Sequence, residues 1–599
     1  MFRLDFRLTS LDFTEETQLF ELPGLLICEI RRIDGSRKNF EAGENYAARR
    51  DGSDFALEAE LSIPLARKEE WRKLRIGYPL SELAAGDSLA WQFDDHALQL
   101  FRNGKLLNEN YVCAEVHATP ALPVSRHAAV GHLHGSDPTG SRNAGYPRVF
   151  TAPAHLWTPS FFNAWVGDTS TFTFHGEYHL FYLLDRRHHG SKAGCGGHYW
   201  AHLATRDFKT WRDDGIVVEP ENFYQTFGTG TPFERNGELA IAYGLHTSRV
   251  TDNTMTPMLR ERAKASGDIA RECDFSEGNG HIPEGATYAT SSDGCHFTRS
   301  HKLFHWTQNP SVFNLPDGRY RLFCGFTGDA GIWEAERWGE WKEVRAGFPP
   351  FGEASFIGNC LDCPSYFQWR GTYYLVVGFS GMWMAPDKDF LHPTDLAKNG
   401  EDLYDGLCVP MISTHPTDPD RRILAGWLQQ TGWGGLLGLR ELVRHSDGVI
   451  GCRWLEEAMP RPGEITSRVP GNGSFYLDVE LEGTAAIRFE GEGGAAEFRL
   501  DAERRKAQLC HADQPEILTN LERAQNGRKT YPPYKDEFAV GKLRLPDGPV
   551  PVRILVQYEK KWQGTAIDVE IAGCRTLIVF FEGLKVNRIS GGGVIRPVQ

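Results

Sequence analysis

Long hydrophobic runs are missing from this chain of 599 residues. A membrane-spanning helix needs about 18–20 consecutive apolar residues. The longest apolar stretches, such as Leu577-Ile578-Val579-Phe580-Phe581, are only long enough for a strand. The opening Met1-Phe2-Arg3-Leu4-Asp5-Phe6-Arg7 alternates apolar and charged residues and lacks the apolar core of a secretory signal, so it reads as a first strand. The expected compartment is therefore the cytoplasm. The 12 cysteines, scattered from Cys28 to Cys574, are expected to be reduced core residues. Basic excess is also missing: 65 Lys and Arg stand against 79 Asp and Glu, a net charge of −14, with no long block of either sign. Nucleic acid is thereby excluded as the main partner, because phosphate binding needs a basic face. Helical periodicity is scarce as well, which argues against α/β folds.

What the chain has instead is short alternating apolar runs separated by Gly, Pro, Asn and Asp, the pattern of an all-β protein. One phrase recurs through its middle. It reads His175-Gly176-Glu177-Tyr178-His179-Leu180-Phe181-Tyr182, then Asn236-Gly237-Glu238-Leu239-Ala240-Ile241-Ala242-Tyr243, then Asp317-Gly318-Arg319-Tyr320-Arg321-Leu322-Phe323-Cys324. Arg370-Gly371-Thr372-Tyr373-Tyr374-Leu375-Val376-Val377 is a fourth copy, and Asp420-Arg421-Arg422-Ile423-Leu424-Ala425-Gly426-Trp427 a weaker fifth. Each copy is a hairpin turn, usually with a Gly for positive φ, running into an alternating strand. Five copies predict a five-bladed β-propeller over residues 146–459. Antiparallel β-sandwiches are predicted to flank it over 1–145 and 460–599. The Gly- and charge-rich stretch 251–285 reads as a long rim loop.

In a propeller the innermost strand of each blade precedes that hairpin and lines the channel. Counting back eight or nine residues from each turn Gly gives Asp168, Thr229, Asn309 and Asp362 as residues that start inner strands and face one axis. Two carboxylates across one channel suit glycoside hydrolysis, in which one group attacks or activates water while the other protonates the leaving oxygen.

At these residues the chain resembles glycoside hydrolase family 32, the β-fructofuranosidases. Trp165-Val166-Gly167-Asp168 is similar to the family's W-M-N-D segment, Leu361-Asp362-Cys363-Pro364 to its E-C-P segment, and Gln308-Asn309-Pro310 stands where the family has R-D-P. Gly432-Trp433-Gly434-Gly435, followed by Leu439-Arg440-Glu441-Leu442, resembles the segment leading out of the family's propeller. The resemblance spans roughly residues 150–599. It implies Asp168 as nucleophile and Asp362 as acid/base in a retaining cleavage of a furanoside; because Asp is one methylene shorter than the family's Glu, Glu353 stands as a reserve acid. Residues 1–145 fall outside it and loosely resemble a laminin-G or concanavalin-type sandwich. Gln308, Asn309 and Thr229 are expected on the sugar-binding floor, and Trp165, Phe227, Trp306 and Trp433 as aromatic platforms.

The departures lie on that floor. Gly167 replaces the family's Asn, Thr169-Ser170-Thr171 follows Asp168 in place of Pro-Asn-Gly, Asn309 replaces an Asp, and Asp362 replaces a Glu. These changes keep two rivals in view, an inverting α-L-arabinofuranosidase on the same propeller and a catalytically silent carbohydrate-binding protein. No cofactor is expected, and no metal. His198 and His202 share one strand face but are too few ligands, and Cys360-Leu361-Asp362-Cys363 lacks a second pair for zinc. The expected partner is a small oligosaccharide or glycoside, and the N-terminal sandwich offers a surface for glycan or for a second copy of the chain.

Overall fold

The computed structural model describes residues 1–33, 54–64, 71–94, 97–111, 125–191, 197–247, 253–324, 330–348, 363–378, 381–430, 432–461, 469–526 and 536–597. The predicted first strand is present: in Phe2–Leu8 the residues Phe2, Leu4, Phe6 and Leu8 turn inward, as period-two alternation requires. It lies inside a five-stranded sheet, between Ser88–Phe93 and Val130–Ser136. A four-stranded sheet of Thr17–Leu22, Leu26–Arg32, Phe55–Pro64 and Trp71–Pro79 packs with it around a shared apolar core.

Five blades follow. Their inner strands are Ala164–Phe174 (blade I), Thr226–Arg235 (II), Ser311–Asn314 (III), Pro364–Trp369 (IV) and Leu407–Thr414 (V). The five recurring phrases form the second strands, Glu177–Arg186, Glu238–His246, Tyr320–Cys324, Thr372–Val377 and Arg422–Gln429. In three of the turns both central residues have positive φ, namely His175-Gly176, Asn236-Gly237 and Arg370-Gly371. That is the type I′ geometry whose twist matches paired strands.

Inner strands of neighbouring blades do not share a continuous ladder, so their edge groups need other partners. Hydroxyl side chains provide them. Ser170 Oγ donates to the Gly230 carbonyl at 2.8 Å, Thr231 Oγ1 to the Val312 carbonyl at 2.8 Å, and Thr173 Oγ1 to the Thr414 carbonyl. Ser365 Oγ accepts from the Ile412 N–H at 3.0 Å. Blades V and I also touch through a single backbone pairing of Val166 with Gly435, which closes the ring.

Residues 251–285 are not a plain rim loop. Within them Thr256–Ala265 is an α-helix with Pro257 in its first turn, seated by buried Leu259 and Ala263. Ile269–Arg271 then adds an outermost strand to blade III by pairing with Glu340–Ala346. Two apolar residues four apart suffice to seat a helix, but they are too few to show as a period among Arg, Glu and Lys.

After blade V, the 18-residue strand Phe475–Glu492 pairs with Val550–Glu559 along its first half and with Gly494–Asp501 along its second. Lys585–Pro597 runs beside it. The strand is thus shared between two halves of one folded sheet. Among the described residues no helix is long and apolar enough to cross a membrane.

Candidate active site

Three inner strands carry a β-bulge at the same height. In blade I, Gly167 and Asp168 oppose Leu183 alone. In blade II, Gly228 and Thr229 oppose Gly244, and in blade V, Val409 and Pro410 oppose Gly426. A bulge puts two residues against one and re-aims a side chain. Here it turns Asp168 and Thr229 toward each other, and Thr229 Oγ1 donates to Asp168 Oδ2 at 2.5 Å. The count from the turn glycines therefore found two residues in direct contact. It did not find strand starts, because Asp168 and Thr229 lie inside their strands.

Asp168 is 8% exposed and collects donors from further blades. Trp427 Nε1 of blade V donates to Oδ1 at 3.1 Å, and the Cys363 thiol, at the entry to blade IV, reaches Oδ2 at 3.6 Å. Hydrogen bonds from indole, hydroxyl and thiol fix the orientation of both carboxylate oxygens. The bulge also needs Gly167, since a Cβ there would sit 2.4 Å from the Trp433 ring and 2.8 Å from the Leu183 carbonyl.

Beside this carboxylate, Asn309 hydrogen-bonds His246. The pair lies over Gly228, where a Cβ would meet His246 Nε2 at 2.3 Å and Asn309 Oδ1 at 2.6 Å. Burial lowers the His246 pKa, partly offset by the Glu284 carboxylate and by Asn309. Asn309 and Gln308 precede the blade III inner strand and are half-buried, and the Gln308 backbone carbonyl packs on Gly244.

The aromatic residues divide. Trp433 is half-buried, lies against Gly167 and is 5.4 Å from the Trp427 ring. Trp165 and Phe227 are core residues, so neither offers a free face to a sugar. Trp165 packs on His188 and on Trp562 of the C-terminal sandwich, and its Nε1 donates to Gln430 at 2.7 Å. Phe227 lies under Arg299 and against Tyr243. Their nearness in sequence to Asp168 and Thr229 suggested platforms, but alternation about each bulge points them into the sheet packing. Trp306 is half-buried against His305 and Trp333. Asp362 and Glu353 lie outside the described residues.

Sequence reading missed three contributors. Trp427 and His246 come from second strands, which the count toward inner strands passed over. Gly228 and Gly230 flank Thr229 within one strand, a signal for a bulge or close backbone approach that was available to be read. The third is the grouping of buried Asp185 and His198 with half-buried His189, whose ligand-type atoms all lie within 4.8 Å of one another, whereas the sequence set His198 beside His202. Burial pushes the Asp185 carboxyl up to about 7, with His189 beside it opposing. Burial, with His198 nearby, brings His189 down to about 4. His202 belongs elsewhere, bonded to Asp214 at 2.8 Å and to His179 at 3.1 Å.

Fold and site together define a five-bladed propeller protein with a carboxylate-centred site where blades I, II, IV and V meet. Residues 162–394, which span blades I to IV, match the model of the glycosyl hydrolases family 32 N-terminal domain. A protein of Psychromonas ingrahamii named "Probable sucrose-6-phosphate hydrolase" is 23% identical over 396 residues, covering 57% of this chain and 65% of its own length. The sucrose-6-phosphate hydrolase of Bacillus subtilis is 22% identical over 319 residues, covering 49% of this chain and 58% of its own length. The chain thus spans somewhat under two thirds of these relatives. The structure of the Lactobacillus gasseri sucrose-6-phosphate hydrolase matches the fold with a TM-score of 0.52 at 14% identity, over 74% of this chain and 91% of that one.

Proposed function

We propose that the protein is a retaining glycosidase that hydrolyses β-fructofuranosides of the sucrose type, with Asp168 as its nucleophile. The observation that carries this reading is the Asp168 carboxylate itself, held at the channel by donors from blades II, IV and V. It lies inside the segment that matches the family. In the proposed reaction an Asp168 oxygen attacks the anomeric carbon of the fructosyl unit. The bond to the leaving oxygen breaks, and that oxygen takes a proton from an acid, the role assigned to Asp362 through the family resemblance. Water then attacks the fructosyl ester, gives a proton to the same acid and frees the sugar. The indole and hydroxyl on Asp168 orient it for attack and accept back its negative charge when the ester breaks. Sucrose-6-phosphate hydrolase relatives make sucrose and its 6-phosphate the first substrates to try.

The test is release of fructose from sucrose, sucrose 6-phosphate and an aryl fructofuranoside by the full chain. Asp168→Asn is expected to lower kcat by about 10³-fold or more, since it removes the covalent step, while the protein keeps its circular dichroism. Near-normal turnover in that variant would refute the assignment.

A further inference from the structure

Asp185 is the penultimate residue of the second strand of blade I, opposite Trp165. After Arg186 ends that strand, Arg187, His188 and His189 all have left-handed backbone, with φ of 55°, 50° and 67°, and none is glycine. Such a run is unfavourable for L-residues and needs to be held in place. It is held from two sides. Arg187 donates to Asn108 Oδ1 at 3.0 Å and to the Glu109 carbonyl at 2.5 Å, both in the N-terminal sandwich. The His188 ring bonds the Trp433 carbonyl at 3.0 Å. The turn curls the chain back, so the His189 N–H donates to both Asp185 oxygens, at 3.0 and 3.1 Å. His189 Nδ1 is buried and makes no hydrogen bond to any of the described residues.

His198 approaches from the start of the third strand. Its Nδ1 lies 3.2 Å from the Phe227 carbonyl, which can only accept, so Nδ1 carries the proton and Nε2 the lone pair. That lone pair lies 3.3 Å from Asp185 Oδ1. Two acceptors facing each other at this distance need a positive charge between them, either a shared proton or a cation. His189 brings a third ligand-type atom within 4.8 Å of these two, which points the choice toward a cation.

We infer that Asp185, His189 and His198 bind a divalent first-row transition metal of the zinc type, with at least one coordination position left for an oxygen ligand. The chemistry of the donor set selects the class. Two imidazoles and one carboxylate suit zinc and its neighbours, whereas calcium and magnesium prefer shells made of oxygen, and an anion is repelled by Asp185. Small side-chain rotations bring atoms within 4.8 Å of one another to the ~2.0–2.2 Å bond lengths of such a site. The surroundings match what metal histidines have: a backbone carbonyl on the far nitrogen of His198, and the Trp433 ring stacked on it at 4.9 Å. Trp433 also leans on Trp427, the donor to Asp168. The metal site thus stands one ring behind the proposed nucleophile, and it fixes the turn and the tryptophan that wall the channel. This inference does not depend on the proposed reaction.

The test uses the full chain stripped with EDTA and titrated with zinc(II) or cobalt(II), followed by calorimetry and, for cobalt, by the visible d–d bands. One ion per chain is expected. His189→Ala and Asp185→Asn should weaken binding by at least ~10–100-fold, the loss that even an outer-shell partner costs. His134→Ala, in the exposed His132 and His134 pair of the N-terminal sheet, should bind as the parent does. Should His189→Ala unfold, His189→Gln keeps the volume and decides the matter. Absence of stoichiometric binding, or binding unchanged in Asp185→Asn and His189→Gln, would overturn the inference and leave a proton shared between Asp185 and His198.

Discussion

Trp427 gives Asp168 one of its hydrogen bonds while sitting 259 residues away in sequence. Replacing it by Phe keeps the ring and removes the donor. A hydrogen bond to a charged group contributes about 1.5–3 kcal/mol, so kcat of Trp427→Phe is expected to fall by roughly 10–100-fold with KM little changed. Unchanged kcat in steady-state kinetics would show that the bond is idle. Asn309 is the other informative residue. Its amide pairs with His246, whereas a carboxylate at that position would form an ion pair with the imidazolium. Asn309→Asp should therefore raise the His246 pKa, seen by NMR titration of the ring, and shift preference toward plain fructosides over other ketofuranosides. A His246 titration that does not move would contradict this placement. The meeting of Asp168 and Thr229 was legible in the sequence because the repeat supplies a ruler along each inner strand. Trp427, His246 and the Asp185 cluster were not, because the ruler says nothing of which second-strand residues lean over the channel.

The bulges are what make those inner strands into a site. Gly244, opposite the blade II bulge, has no room for a side chain, since a Cβ would stand 1.5 Å from the Gln308 carbonyl. Gly176, in a hairpin turn, has open space and only its positive φ of 72° to satisfy. Gly244→Ala is expected to cost at least ~3 kcal/mol, the upper end of overpacking, whereas Gly176→Ala should cost about 1–2 kcal/mol. Differential scanning calorimetry distinguishes them, and equal losses would mean that the bulge relaxes freely. Four of the five hairpins were readable because a tight turn demands residues that tolerate positive φ, and the Gly before an alternating strand announces it, at Gly176, Gly237, Gly318 and Gly371. The helix Thr256–Ala265 escaped notice because it is held by tertiary packing of Leu259 and Ala263, with Arg, Glu and Lys around the rest.

Across the whole molecule, buried charges join the three β regions. Glu109 of the N-terminal sandwich is fully buried, with Arg142 at 2.9 Å and Arg186 of blade I at 2.9 Å. On the other side, Arg440 of blade V bonds Asp405 and, at 2.8 and 3.0 Å, Asp568 of the C-terminal sandwich, where His155 also bonds Asp568 at 2.7 Å. Burial alone would raise the Glu109 pKa, but Arg142 and Arg186 outweigh it and hold the carboxyl at about 2, against 4.5 ordinarily. A depressed acid contributes stability that is complete above its unfolded pKa and lost as pH falls through the folded one. Glu109→Gln is thus expected to cost about 3–5 kcal/mol at pH 7, because it takes the carboxylate away from the fully buried Arg186, while Arg142 keeps Asp94 at 2.7 Å. The deficit should shrink between pH 4.5 and pH 2. Urea unfolding at a series of pH values checks this, and a deficit independent of pH would contradict it. Glu109 with Arg186 and Arg440 with Asp568 could not be paired from sequence, since each pair joins strands of separate sheets.

The reaction itself is tested most directly by trapping. The full chain is mixed with a slowly hydrolysed aryl fructofuranoside, quenched in acid during turnover, digested and analysed by peptide mass spectrometry. The account predicts one hexosyl unit esterified on the peptide that contains Asp168, and none in Asp168→Asn. Turnover accompanied by an adduct on another carboxylate, or by no covalent adduct at all, would contradict it.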